Sequence, residues 1–250
     1  MTHVIDLLQL SVLAAMLVTT YGMHELGHWA VAQILGVWSP VVSLGWGDRY
    51  LVLLRTKHTQ FRITTTFLSG GYTMLAIKKW PDGMIQGTAT SLGIAPLPTR
   101  DLKPWERASI LIAGVMVNLM VALLVSYGQL VASGHGAGEA LLSAMAQTAT
   151  DIAYVCKIPF GAAVNADLSG VASFVNAFLY MNIVMIVVNL LPLPTLDGFQ
   201  LVTAAYEGLT GNEPSERIRK TVDWFNWILL VGAVATALGI LVRYMILHPH

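Results

Sequence analysis

Residues 4–23 carry a single ionisable side chain, Asp6, near their start, and they lead without a break into His24-Glu25-Leu26-Gly27-His28. An apolar run of that length can cross a bilayer as a helix, the form that satisfies every backbone donor and acceptor within the segment. On a helix, positions four apart share a face, so His24 and His28 can offer imidazole nitrogens to one metal ion while Glu25 stands at the edge of the same pocket. This is the arrangement of zinc hydrolases, set where a soluble hydrolase has no reason to place it. The plainer account has two histidines reaching for the membrane interface with their polar tips; the joint spacing of His, Glu and His argues against it.

Composition supports the membrane setting. Hydrophobic residues make up 55% of the 250 and charged residues 11%, with a mean hydropathy of +0.64, whereas soluble domains carry roughly a quarter charged residues. The formal net charge is zero, which gives no pull toward nucleic acid. The one cysteine, Cys156, excludes an internal disulfide and a cysteine-based metal site, and reads as a buried structural thiol.

Four stretches are long and apolar enough to span, at about 4–36, 107–132, 171–209 and 222–247. The expected fold is therefore an all-α polytopic membrane protein of about four transmembrane helices, one membrane-embedded domain over 1–250. The first stretch lacks a basic start and is too long for a cleaved signal peptide. Nine of the fourteen Lys and Arg residues fall between the first two spans or at their edge, from Arg49 to Arg107. Arg217, Arg219 and Lys220 lie between the last two, and Lys157 alone lies between the second and third. The positive-inside rule then puts the first and third loops in the cytoplasm and both termini outside. The histidine motif starts about twenty residues into the first helix, roughly 30 Å down at ~1.5 Å per residue, so its metal site is expected inside the membrane toward the cytoplasmic face. Ionisable groups at that depth are costly and point to function.

Between the first two spans the chain changes character. Residues 37–72 are rich in β-branched and aromatic side chains separated by turn residues, and read as a small membrane-associated β-region. Its strands between Val41 and Phe67 could cover the helix ends or offer an edge for an extended peptide. Residues 73–104, with Pro81, Pro96, Pro98 and Pro104, read as an irregular cytoplasmic connector. In the second span, small residues around Ala113 and Gly114 allow close helix approach, and Asn118, strongly polar in mid-span, is expected to bond to another helix, with a role near the metal site as the lesser reading. The outer loop, about 133–170, is weakly helical, with poor periodicity from Leu141 to Phe160.

The third span meets a second informative stretch at Asn189-Leu190-Leu191-Pro192-Leu193-Pro194-Thr195-Leu196-Asp197-Gly198. Two prolines must break or kink a helix here, which a membrane tolerates only beside protein or a polar cavity. The first and third spans enter from the same side, so Asp197 arrives at nearly the depth of His24 and His28. No Lys or Arg within ten residues can pair with it, whereas ligation of a divalent metal compensates its charge. Glu207, farther along, is expected to be solvated near the cytoplasmic interface. The fourth span carries Trp224 and Trp227 at its inner end, like an interfacial aromatic belt.

Together the two stretches resemble the HExxH and NxxPxPxLDG motifs of the site-2 protease family of intramembrane zinc metalloproteases. Phe67 to Tyr72 is similar to the Gly-Gly-Tyr segment after that family's β-region. Ala113-Gly114 with Asn118 is similar to its second-helix pattern, with Val115 in place of the usual proline. Asp167 to Val171 resembles the lead into its third helix, again without the proline. The resemblance implies Zn²⁺ held by His24, His28 and Asp197, with Glu25 as the proton-transferring base, Asn189 holding the substrate backbone, and a single-span membrane protein as substrate. Bacterial members commonly carry PDZ domains between the second and third core helices; the connection here, about forty residues, is too short for one. A non-hydrolytic metal-binding or transport protein is the competing reading, as is an inert member that binds transmembrane partners. Transport should show further intramembrane carboxylates or histidines, and an inert member should have lost a ligand or the glutamate.

Overall fold

A computed structural model describes residues 7–67, 70–75, 102–156, 171–193 and 196–212, together with scattered positions from 214 to 228. The fold is mostly helical, with one small sheet after the first helix.

Helix α1, Leu7–Ile34, contains the whole histidine motif. It closes in a Schellman turn, where Gly36 takes φ +71° and the Val37 N–H reaches back to the Ala32 carbonyl at 2.8 Å. Val37 and Ala32 also join in a small buried apolar cluster with Leu102 and Ile110.

Four strands follow: β1 Val41–Leu44, β2 Tyr50–Arg55, β3 Gln60–Thr64 and β4 Gly71–Met74. The sheet order is β2-β3-β1-β4, with β1 and β3 parallel (Val42 opposite Phe61) and both outer pairings antiparallel. The β-region thus extends two residues beyond the expected 72. Trp29 ties the sheet to α1 by donating to the Thr59 hydroxyl at 3.0 Å and meeting the Phe61 ring edge-on. Strand β4 lies against the metal motif, outside the 41–67 segment for which the sequence left peptide binding and packing over the helix ends both open. Of the expected connector, residues 76–101 lie outside the described residues.

Helix α2, Pro104–Ala132, starts with proline at its first position, where a missing N–H is harmless, and the Glu106 carboxylate accepts the Lys103 N–H at 2.9 Å. Its polarity is inside out. Glu106, Arg107, Asn118 and Ser126 are buried, while Ile112, Met116, Met120 and Leu124, each four apart, are exposed. In water that stripe would be a liability; against acyl chains it is the expected outer face. Among the described residues α2 is the one helix both long and apolar enough to cross a membrane.

Two expectations are corrected here. The segment assigned to an outer loop contains a regular helix, α3 Ala137–Val155. It folds back antiparallel along α2, bringing Thr148 to Ser126 at 3.5 Å and Ile152 to the cluster of Ala122, Leu179 and Ile183. Its contact face is Ala140, Ala144 and Thr148, all fully buried small residues. Cys156, the C-cap just past its end, is exposed rather than a buried thiol, because the regular helix and its packing stop at Val155.

The third expected span is two helices, not one over 171–209. Helix α4, Val171–Leu190, ends where Pro192 forbids continuation, and α5, Asp197–Thr210, begins after the break. Gly211 closes α5 at φ +68°, donating to the Glu207 carbonyl. Glu207 is not merely solvated: it pairs with Arg107 of α2 at 2.5 Å, with the two side chains 20% and 9% exposed. The fourth span lies largely outside the described residues, as does Trp227; Trp224 is described and exposed.

Candidate metal centre

His24 and His28 sit one turn apart on the buried face of α1, and Asp197 is the first residue of α5. The break after α4 is what brings them together, since it lets a new helix start at the depth of the histidines with its carboxylate at the N-terminal end. His24 Nε2 lies 3.0 Å from Asp197 Oδ2 and 3.0 Å from His28 Nε2, and His28 Nε2 lies 3.2 Å from the same carboxylate oxygen. Four ligands about 2.0–2.1 Å from a tetrahedral zinc stand about 3.3 Å apart, so this triangle has the size and the donor types of a zinc site open at its fourth position. The imidazole rings meet edge to face, with centroids 4.6 Å apart. Both histidines are buried and Asp197 is partly so.

The surroundings fix the ring orientation. His28 Nδ1 lies 2.7 Å from the Ile110 carbonyl, which can only accept, so Nδ1 carries the hydrogen and Nε2 turns its lone pair to the centre. His24 Nδ1 lies 3.4 Å from the amide of Asn118, the interhelical contact expected of that residue. Gly114 makes room for both rings. A β-carbon there would sit 2.5 Å from His28 Nε2 and 2.7 Å from His24 Cε1.

Glu25 is also buried. Its Oε2 accepts from the Thr73 hydroxyl at 2.8 Å, and the same hydroxyl stands 3.0 Å from the Glu25 backbone carbonyl. Gly71 gives the carboxylate its space, since a β-carbon there would lie 2.9 Å from Glu25 Cγ. Asn189, on the last turn of α4, donates to the Met185 carbonyl at 3.1 Å. It is buried close to the break, and no contact given for the described residues joins it to the three ligands.

Sequence reasoning did not reach Thr73 or the Ile110 carbonyl. Thr73 is 48 positions from Glu25 and belongs to no spacing pattern; only its place after the Gly-Gly-Tyr segment hinted at it. A backbone carbonyl leaves no sequence signal.

The fold and the site together define a helical protein with a candidate His, His and Asp metal centre beside a buried glutamate. The profile of peptidase family M50, the site-2 protease family, matches residues 12–233, and the chain belongs to that membrane-embedded family. Similar proteins are named "Putative zinc metalloprotease" in Nostoc sp., Helicobacter pylori and Agrobacterium fabrum. The first is 28% identical over 63% of this chain and 41% of its own length. The second is 30% identical over 42% and 28%, and the third 25% over 44% and 31%. The chain thus spans less than half the length of these relatives.

Proposed function

We propose that the protein is an intramembrane zinc metalloprotease that hydrolyses peptide bonds within or near the transmembrane segment of a single-span membrane protein. The observation that carries this reading is the convergence of His24 Nε2, His28 Nε2 and Asp197 Oδ2 within 3.2 Å of one another, with Glu25 next in sequence to the first ligand. His24, His28 and Asp197 would hold the zinc ion, which would supply Lewis acidity and lower the pKa of a bound water toward neutrality.

The chain's own residues do the rest. Glu25 takes a proton at its carboxylate and returns it to the leaving amine, and the Thr73 hydroxyl restricts that carboxylate to one rotamer. A substrate helix must unwind before its carbonyls become accessible, because they are hydrogen-bonded within the helix. Strand β4, paired only with β1 among the described strands, has a second edge that can hold the unwound segment extended by main-chain bonds. Asn189 holds the substrate backbone near the break after α4. The polypeptide crosses a bacterial inner membrane four times with both termini outside. Anti-sigma factors and remnant signal peptides fit the substrate class.

The test is Glu25→Gln in reconstituted membranes with a single-span substrate. Zinc should stay bound while cleavage disappears and uncut substrate accumulates. Continued proteolysis by this variant would overturn the assignment. Proline substitutions along β4 that left cleavage unchanged would remove the strand from the mechanism.

A further inference from the structure

The Asn118 side chain is fully buried on α2, and its Oδ1 has no hydrogen-bond partner among the described residues. Its Nδ2 is placed 3.4 Å from His24 Nδ1. This pairing is backwards for a ligand. His24 Nε2 faces Asp197 and His28 at 3.0 Å and needs its lone pair free there, so the ring's hydrogen must sit on Nδ1. Nδ1–H needs an acceptor, and the orphaned atom of Asn118 is one. Oxygen and nitrogen of an amide occupy nearly the same positions and exchange by a half-turn about the last side-chain bond. That half-turn resolves the unpartnered oxygen and supplies the acceptor in one move.

We propose that Asn118 is a positioning residue for the metal centre, accepting the Nδ1 hydrogen of His24 through Oδ1 and so fixing the tautomer and ring plane in which Nε2 is a ligand. The proposal rests on the metalloprotease reading of the site. It completes a symmetry of means: His28 is oriented by a backbone carbonyl of α2, and His24 by a side chain two turns farther along that helix. Both ligands on α1 are then set by α2, and metal affinity depends on the α1–α2 seam as well as on the ligands. Outer partners of this kind typically change metal affinity by about 10–100-fold.

The experiment measures the zinc dissociation constant by chelator competition on purified full-length protein, alongside the thermal midpoint of the metal-free form. Asn118→Leu keeps the branched shape at a somewhat larger volume and removes the acceptor, and should weaken zinc binding about 10–100-fold. Asn118→Asp keeps an acceptor in the same place and should bind zinc within a few-fold of the unsubstituted protein. If Asn118→Leu lowers the thermal midpoint but binds zinc as before, Asn118 is only a packing residue and the proposal falls. If Asn118→Leu does not fold, Asn118→Asp decides: near-native affinity supports the proposal and a loss beyond tenfold overturns it. Failure of the unsubstituted protein to bind zinc would overturn the metalloprotease reading itself, and this proposal with it.

Discussion

At the scale of single residues, the site depends as much on what is missing as on what is present. Gly114 touches both histidines with nothing but backbone, and a methyl group there would sit 2.5 Å from His28 Nε2. Gly114→Ala should therefore keep native helix content by circular dichroism and bind zinc at least tenfold more weakly by chelator competition. Thr73→Val removes the hydroxyl that holds Glu25 and is nearly isosteric. It should lower kcat severalfold with little change in KM, as expected when a base loses its rotamer while the binding surface is kept. The three candidate ligands were legible in the sequence because each sits in a pattern: two histidines four apart, and an aspartate behind prolines with no cation nearby. Thr73 and the Ile110 carbonyl were not legible, because their roles arise when separate elements are packed together, and no local spacing encodes that.

At the scale of elements, the break between α4 and α5 was written in Pro192, and its use as the start of a new helix follows from Asp197 standing at a helix N-terminus, where a carboxylate is favoured. Helix α3 was harder to see. It lies between protein on one side and an apolar outer face on the other, with Leu141, Leu142 and Met145 exposed while Ala140 and Ala144 are buried. Its buried face is made of small residues while its large apolar ones are exposed, so the stripe of large core residues that usually marks a packed helix is absent from the sequence. Overfilling the small-residue seam should reveal the packing. Ala144→Leu should destabilise the bundle by about 1–3 kcal/mol, read as a lowered thermal midpoint, whereas Leu142→Ala on the exposed face should leave it unchanged. Glu207 was misjudged for a different reason, since its partner Arg107 is 100 positions away. Removing one member, as in Arg107→Met, leaves a partly buried charge unpaired and should destabilise α5 docking by a few kcal/mol. The double substitution Arg107→Met with Glu207→Leu should recover most of that loss in thermal denaturation.

At the scale of the whole molecule, the apolar core is divided. One cluster gathers at the C-terminal end of α1 around Ala32, Val37 and Ile110, and another between α2, α3 and α4 around Ala122, Leu179 and Ile183. The metal centre lies between these two clusters along α2, and Asp197 belongs to a helix that follows α4 after a break in the helical backbone. His24 and Asp197 are 173 positions apart. An ion gripping both acts as a cross-link, and closing a loop of that length restricts a free chain by about 5 kcal/mol at 25 °C. Stripping zinc with a chelator should therefore lower the thermal midpoint and expose α5 to added protease, and restoring zinc should reverse both. On the proposed reading, the atom that would equip the chain for hydrolysis would also serve as a removable rivet between its first helix and α5. A cell short of zinc would hold a loosened bundle open to degradation, and the amount of this protein in its membrane would follow the supply of the metal.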